Sequence, residues 1–436
     1  MAMFRQDTAS LRCASVAWVH ARARRSAVVR APRHLNPSIG LSLGLLLAIT
    51  PAAHLRAQTS FDSSPLSISG FGTLGAVRAS NPQIEVLRDS SQPKAIDTQW
   101  STRTDSALGV QAVYRFSDTL DAVVQAVSHY QQNGSFRPDL TWAFLKYDVT
   151  PRFSVRLGRV GIEFLMQADA RLVGYSYLPI RPPTEFYGFI PINYGDGVDA
   201  RLRWPVGDGI LRLEGFAGRA ADNIPNYNFK GTGIFKGTLG YDIGAWQFRY
   251  INTEAKLAHN RDSMKSFVDG LTQAGAVSVA RSIELLDKVS TYQSLGAAYD
   301  DGNWQLQAAV NTIRHEAAQM QNSQALTLLA GYRWGRLTPY FSYAQAKNSP
   351  KPLTSGLPGA LAATFDEGLA QALQSSQINS RTLSAGMRWD FRRNMDLKAQ
   401  IDLIHAAPGS TLQVRNTTPN AGARAAVFSL SLDFIF

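Results

Sequence analysis

The segment Ala425–Phe436 reads AAVFSLSLDFIF and decides the fold of the chain. One face of this segment is apolar and consists of Phe428, Leu430, Leu432, Phe434 and Phe436. The opposite face is mostly polar and consists of Val427, Ser429, Ser431, Asp433 and Ile435. A period of two residues is typical of a β-strand whose two faces meet different surroundings.

The same alternation recurs along the chain, in residues 108–116, 304–311, 326–334, 382–391 and 397–404. Seven short turns join strands in pairs, at Ser117–Thr119, Thr150–Arg152, Pro205–Gly209, Asp242–Ala245, Asp300–Asn303, Gly335–Arg336 and Arg392–Met395. Eight longer polar segments separate the pairs, near residues 80–103, 131–138, 160–195, 220–232, 253–288, 313–324, 348–378 and 406–423. This arrangement predicts an all-β fold of about sixteen antiparallel strands.

Short turns on one side and long loops on the other are typical of a transmembrane β-barrel, with periplasmic turns and extracellular loops. Lipid offers no partner to backbone N–H and C=O groups, so a sheet that crosses it closes on itself. An interfacial belt is expected from the aromatic residues near the strand ends, namely Trp142, Tyr147, Trp204, Trp246, Tyr332, Trp334, Trp389 and Phe391. The alternative, a soluble multi-sheet protein, explains neither the loop asymmetry nor the N-terminus.

Composition excludes several classes of protein. No run reaches the roughly 18 apolar residues of a transmembrane helix. The single cysteine, Cys13, excludes an intrachain disulfide and a multi-cysteine metal site. The net charge of +11 is concentrated in residues 1–57, which contain eight arginines and one acid. The remaining chain is nearly balanced, so nucleic acid is not an expected partner.

Residues 1–57 are predicted to be a cleaved export signal. Arginines precede the apolar run Ile39–Thr50, which has the length of a signal-peptide core, and a cleavage site is expected after Ala57. The alternative is an organelle transit peptide. Residues 58–436 are then expected to form a single barrel domain.

The long segment 160–195 is expected to fold into the lumen and narrow it. It is rich in tyrosine and has four prolines between Pro179 and Pro191, which suits a packed loop. Its charged residues are candidate constriction residues, namely Glu163, Asp169, Arg171, Arg181 and Glu185. The alternative is a loop that packs on a neighbouring protomer. Helical spacing in Met264–Val289 and Gly359–Gln374 predicts short helices over the barrel mouth.

Strand parity assigns eleven bases and eight acids to the lumen. Candidate pore-lining bases are Arg156, Arg201, Arg203 and Arg212, of which the first three lie on the two strands next to the long loop. Arginine is charged at every working pH, so a slight excess of bases predicts a weak preference for anions.

The chain resembles the Gram-negative outer-membrane porins. The resemblance rests on the terminal strand ending at Phe436, on a long loop after the fifth strand, and on Gly158-Arg159 where that strand enters the loop. The opening strand Ser69–Gly75 is also similar, whereas Pro183–Gly188 departs from the Pro-Glu-Phe-Gly-Gly stretch common in porin loops. The resemblance implies that Arg159 lines the constriction, that Phe436 is read by the outer-membrane assembly machinery, and that the protein forms a homotrimer.

The expected function is passive diffusion of small hydrophilic solutes or ions across a bacterial outer membrane, with membrane lipid as the surrounding partner. No catalytic grouping, cofactor motif or metal-ligand spacing is found in the sequence, so an enzyme is not expected. Three alternatives stay open: a substrate-selective channel, an outer-membrane enzyme, and a barrel with a blocked lumen.

Overall fold

The computed structural model describes residues 64–436 except 89–91, 93–95, 132, 167–169, 189–191, 193, 222–228, 260–261, 286–287, 350, 375–376, 411–413 and 417–421. The predicted signal, residues 1–57, lies outside the described residues. The strands are β1 Leu66–Ala79, β2 Ile84–Val86, β3 Ala107–Arg115, β4 Leu120–His129, β5 Asp139–Thr150, β6 Phe153–Gly161, β7 Tyr194–Val206, β8 Gly209–Ala221, β9 Phe229–Ile243, β10 Trp246–His259, β11 Val289–Asp300, β12 Trp304–His315, β13 Asn322–Tyr332, β14 Leu337–Ser349, β15 Asn379–Arg392, β16 Met395–Ala406, β17 Val414–Asn416 and β18 Ala423–Ile435.

Sixteen of these strands form one closed antiparallel barrel. Each is hydrogen-bonded to its neighbours along the chain, and β1 closes the ring by pairing with both β3 and β18. The predicted number of strands and the all-β class are confirmed. The two remaining strands, β2 and β17, pair with each other in a separate two-stranded ribbon, whose residues Ile84 and Val86 pack on inward side chains of the barrel. They lie in segments that the sequence predicted to be loops.

The turns at one end of the barrel are tight because their residues tolerate left-handed backbone. Gly207 and Gly244 have φ angles of 55° and 57°, and Asn394 has a φ angle of 68°. This conformation suits the two-residue connections of twisted hairpins, and it favours Gly and Asn. All seven predicted short turns lie at this end, so the long loops lie at the other, extracellular end.

The outer face of the barrel is an apolar belt. Outward side chains such as Leu74, Leu157, Phe235 and Phe341 are 58–66% exposed, as expected for groups that face lipid. Trp142 is an exception to the predicted aromatic belt, because it points inward and packs on the lumen cluster. No helix among the described residues is long and apolar enough to cross a membrane.

The barrel seam joins the two ends of the described chain. The backbone of Phe436 exchanges two hydrogen bonds with Gly70, with N···O distances of 2.9 and 3.0 Å. On the outer face the ring of Phe436 covers Gly70 and that of Phe434 covers Gly72, where a Cβ atom would lie 2.3–2.4 Å from the ring. The glycines therefore make room for the terminal aromatic rings.

The described parts of the extracellular loops contain four α-helices: α1 Thr184–Tyr187, α2 Asp262–Gln273, α3 Val277–Ile283 and α4 Gly359–Gln374. The last three share a small core around Leu271, Ile283 and Leu369, which are fully buried. The helical spacing in the sequence therefore marked real helices. The main apolar core lies inside the barrel, where the loop after β6 packs on inward side chains of β8–β14.

Candidate functional site

The loop after β6, residues 162–193, begins along the wall of β7–β11. Ile162 lies against Gly195 and Phe216. The ring of Phe164 packs edge-on against Tyr292 of β11, with centroids 5.6 Å apart. Met166 then lies over Gly296, where its sulfur would be 2.7 Å from an added Cβ. The first turn of the loop is thus held by apolar contacts on one wall.

The loop next reaches the opposite wall. Val173 packs on Phe71 of β1 and Val127 of β4, which lie across the barrel from β11. Gly174 fits between Asp433 and Thr73, where a Cβ atom would be 2.2 Å from Asp433 Oδ1. Met166 and Val173 of the loop thus contact opposite walls of the barrel.

Two buried cations hold the short 3-10 turn Gly174–Ser176 through its backbone. Lys398 Nζ donates to the carbonyl oxygens of Gly174 and Tyr177, both at 2.7 Å. Arg388 Nη1 donates to the carbonyl oxygen of Tyr175 at 2.8 Å, and its guanidinium lies over the Tyr175 ring. Both cations also form ion pairs with Asp396, which is fully buried. Their positive charges are therefore compensated by the barrel wall and not by the loop.

Arg181 is the most heavily bonded residue of the loop. It donates to both oxygens of Asp105 at 3.0 and 2.7 Å, to Asp402 at 3.0 Å and to Ser429 Oγ at 2.6 Å. Burial raises the pKa of Asp105, but the nearby charges of Arg181 and Arg88 outweigh it and hold the pKa below its usual range. Arg181 therefore ties the loop to the first extracellular loop and to the barrel wall.

The acidic candidates of the loop have different surroundings. Glu185 is 1% exposed and accepts a hydrogen bond from Thr382 of β15, so it faces the wall. Glu163 is half-buried. Burial of the Tyr187 hydroxyl, together with the negative charge of Glu163, raises the pKa of Tyr187. Arg171 is half-buried and precedes Val173 by two residues. Asp169 lies outside the described residues.

The inner wall of β6–β10 brings four predicted bases together. Arg156 and Arg201 both pair with Asp199, at 2.8 and 3.1 Å. Arg201 also lies 3.8 Å from Glu214. On this wall the described inward bases are Arg156, Arg201, Arg203, Arg212, Lys236 and Arg249, and the inward acids are Asp199, Glu214 and Asp242.

Three of these arginines form a row near the periplasmic end of the wall. Arg203 pairs in register with Arg212, and Arg212 lies across Gly240 from Arg249. The guanidinium of Arg249 occupies the space above Gly240, since an added Cβ would be 2.7 Å from its Nη1. Only Arg212 has a carboxylate, Asp242, among the described ion pairs of this row. The row therefore carries an excess of positive charge toward the lumen.

Arg159 lies on the outer face of the barrel, not in the lumen. It is three residues from the inward Arg156, so strand alternation turns it to the opposite face. It pairs with Asp196 at 2.7 Å and lies over the ring of Tyr194. The expectation that Arg159 lines the constriction is wrong, because it followed the resemblance and not the period of the strand.

Sequence reasoning missed the residues that dock the loop. Asp105 and Arg88 lie in the first extracellular loop, and Lys398 and Arg388 are two of the eleven bases for which strand parity predicts only a place on the lumen wall. The hydrophobic run Ile162–Met166 is the signal in the sequence that indicates docking of the loop, because a solvent-exposed loop is usually polar. No cluster of His, Cys, Asp and Glu suited to a metal ion is found among the described residues.

The fold is similar to solved outer-membrane structures. The anion-selective porin from Comamonas acidovorans is 12% identical with a TM-score of 0.51, over 85% of this chain and all of that one. The channel DcaP of Acinetobacter baumannii is 11% identical with a TM-score of 0.50, over 85% and 97% of the two chains. OprB of Pseudomonas putida is 10% identical with a TM-score of 0.50, over 85% and 94%.

No protein-family model matches the chain, and no curated protein matches it in sequence. The chain thus has the sixteen-stranded fold of outer-membrane porins, and the expected resemblance is confirmed at the level of the fold. Barrels of this kind, with an apolar belt and long loops on one side, are proteins of the bacterial outer membrane.

Proposed function

We propose that this chain is a porin through which small hydrophilic solutes diffuse passively, with a weak preference for anions. The observation that supports the preference is the inward row Arg203, Arg212 and Arg249. Charges of one sign on a low-dielectric wall concentrate counter-ions beside it. The proposal concerns a channel and not an enzyme, and it agrees with the two neighbours described as a porin and a channel.

The proposed path runs beside the wall of β6–β10. The loop contacts the wall of β11 at Met166 and the opposite wall at Val173, and its later part is bonded to β12–β18. These contacts support a path on the side of the basic wall. Arg156, Arg201, Arg203 and Arg212 then line one side of the constriction, and Glu163 and Arg171 belong to the loop side. Arg181 and Glu185 position the loop and do not line the path.

The experiment is a reversal-potential measurement on the purified protein in a planar bilayer. Across a tenfold KCl gradient, the wild type is expected to give discrete steps and a small potential of the sign that means anion preference. The screening length is about 10 Å at 0.1 M salt, so the preference should weaken as salt rises. Arg203→Gln with Arg249→Gln should shift the potential toward cations.

Arg159→Gln is the control for position, because it removes a positive charge from the outer face of the same barrel half. It should leave the potential unchanged. A clear cation preference in the wild type, or an equal shift in both variants, contradicts the proposed path. A folded barrel that never conducts favours a blocked barrel or an enzyme instead. The homotrimer stays a prediction, and sedimentation of the purified protein tests it.

A further inference from the structure

The outer face of the barrel carries a row of basic side chains at its extracellular edge. Arg381 of β15 pairs in register with His405 of β16, and His405 pairs with Arg424 of β18. These three strands are neighbours in the barrel, so the three side chains stand side by side. Residues directly opposite each other in antiparallel strands have Cβ atoms about 5 Å apart. Arg381 and Arg424 are exposed, and His405 is half-buried.

The row lies at the top edge of the apolar belt. Below Arg381 the outward positions of β15 are Leu383, Ala385, Met387 and Trp389. The eight residue steps from Arg381 to Trp389 span about 26 Å along the strand. With a tilt of about 40°, this corresponds to a height of about 20 Å, close to the height of a lipid-facing belt. The row therefore lies at the depth of lipid headgroups in the extracellular leaflet.

No acid accompanies the row on this face. The acids between residues 379 and 436 are Asp390, Asp396, Asp402 and Asp433. All four point inward, where each is bonded to Arg388, Lys398 or Arg181. Residues 407–422, which connect β16 to β18, contain neither Asp nor Glu. Acids and bases are thus separated between the two faces of the same three strands.

The geometry of the row suits an anion with several oxygens. Arg424 Nε donates to His405 Nδ1 at 3.3 Å, which leaves His405 Nε2 as a donor toward an outside group. Like charges on neighbouring strands repel each other, and an anion between them removes this cost. Guanidinium groups bind phosphate through two parallel hydrogen bonds, which a carboxylate-free surface leaves available. Gln345 of β14 is the register partner of Arg381. Lys347 lies two residues further along β14 and adds a further positive charge.

We propose that Arg381, His405 and Arg424 bind the phosphate group of a phosphorylated lipid in the extracellular leaflet. The lipid's acyl chains would lie on the belt below, along Leu383, Leu403 and Phe428, which are 42–51% exposed. The proposal is independent of conduction, because the row is separated from the lumen by the barrel wall. It assigns a lipid-binding role to a face that the channel function does not use.

The experiment measures binding of diphosphoryl lipid A to the purified, folded protein by native mass spectrometry. Wild type is expected to retain bound lipid, and the dephosphorylated lipid is expected to bind at least tenfold more weakly. Arg381→Gln with Arg424→Gln should reduce retention of the phosphorylated lipid by a similar factor. Arg381→Lys with Arg424→Lys keeps the charge but lacks the paired donors of the guanidinium group. Its retention of the phosphorylated lipid should lie between that of the wild type and that of the glutamine double variant.

The matched control is Arg392→Gln with Arg393→Gln, which removes two exposed arginines from the turn of the same hairpin at the other end of the barrel. This control should retain lipid as the wild type does. Equal loss in both double variants, or equal binding of the dephosphorylated lipid, overturns the proposal. Full displacement of the lipid by millimolar inorganic phosphate also overturns it, because the row would then be a site for the free ion.

Discussion

Removal of Arg181 should release the loop after β6 from the barrel wall. Its guanidinium is 8% exposed and bonds Asp105, Asp402 and Ser429, which belong to three different parts of the chain. In Arg181→Met, Asp105 keeps only Arg88, which lies 3.2 Å away, and Asp402 keeps Gln400. Two buried carboxylates then lose their principal cation.

The size of the effect follows from this loss. Breaking a buried ion pair by removing one partner costs about 3–5 kcal/mol, because a charge stays buried without compensation. Each 1.4 kcal/mol is a factor of ten, so the balance between docked and released loop should shift by roughly two to three orders of magnitude. Replacing both Arg181 by Met and Asp105 by Leu should cost less, since the principal unpaired charge is removed with its partner.

Single-channel recording in a planar bilayer is the assay. Arg181→Met should raise the mean conductance and add fluctuations between levels, and the double variant should lie closer to the wild type. Arg103→Gln, an exposed arginine of the same first loop, should behave as the wild type. An Arg181→Met channel that is folded, but has the conductance and noise of the wild type, would refute the anchoring role.

Three further predictions concern the seam, the turn and the pH. Deletion of Phe436 removes the two hydrogen bonds to Gly70 and about 1.5–3 kcal/mol of burial, and it should lower the outer-membrane level while protein accumulates in the periplasm, as measured by fractionation. Gly174→Val should displace the turn from Asp433 and raise channel noise. Gly215→Ala should not, because the nearest atom to its Cβ position is the Lys236 carbonyl oxygen at 4.0 Å, an ordinary van der Waals distance. Since the pKa of Asp105 is lowered, its contribution to loop docking is complete above about pH 4 and is lost as pH falls through the lowered pKa. Conductance noise should therefore be constant from pH 5 to 8 and rise only in stronger acid, and a rise between pH 6 and 7 would point to another group.

Strand number and strand faces could be predicted because they depend on local alternation. In β18 the apolar face Phe428–Phe436 is outward and the face with Ser429 and Asp433 is inward, as the period of two requires. Arg201, Arg203 and Arg212 follow the same logic. Arg159 does not, because it was assigned by resemblance, and the alternation that begins at Arg156 places it outside.

The docking of the loop could not be predicted in the same way. Lys398 and Arg388 bind backbone carbonyl groups, which every residue has, so the sequence holds no mark of their partners. The ribbon of β2 and β17 joins residues more than 300 positions apart, and the pairing of Arg181 with Asp105 depends on where two loops meet. Such contacts depend on the closed barrel, which brings distant segments together.

The seam between β1 and β18 means that the barrel closes only when its first and last strands pair. Thr73 bonds Asp433 across 360 positions, and Phe436, at the end of the last strand, completes the ladder with Gly70. Contacts so distant in sequence form late in folding. A chain cut short by a premature stop keeps an unpaired strand edge, which lipid does not tolerate. Closure of the barrel therefore depends on β18, because only this strand pairs with β1 on its second edge.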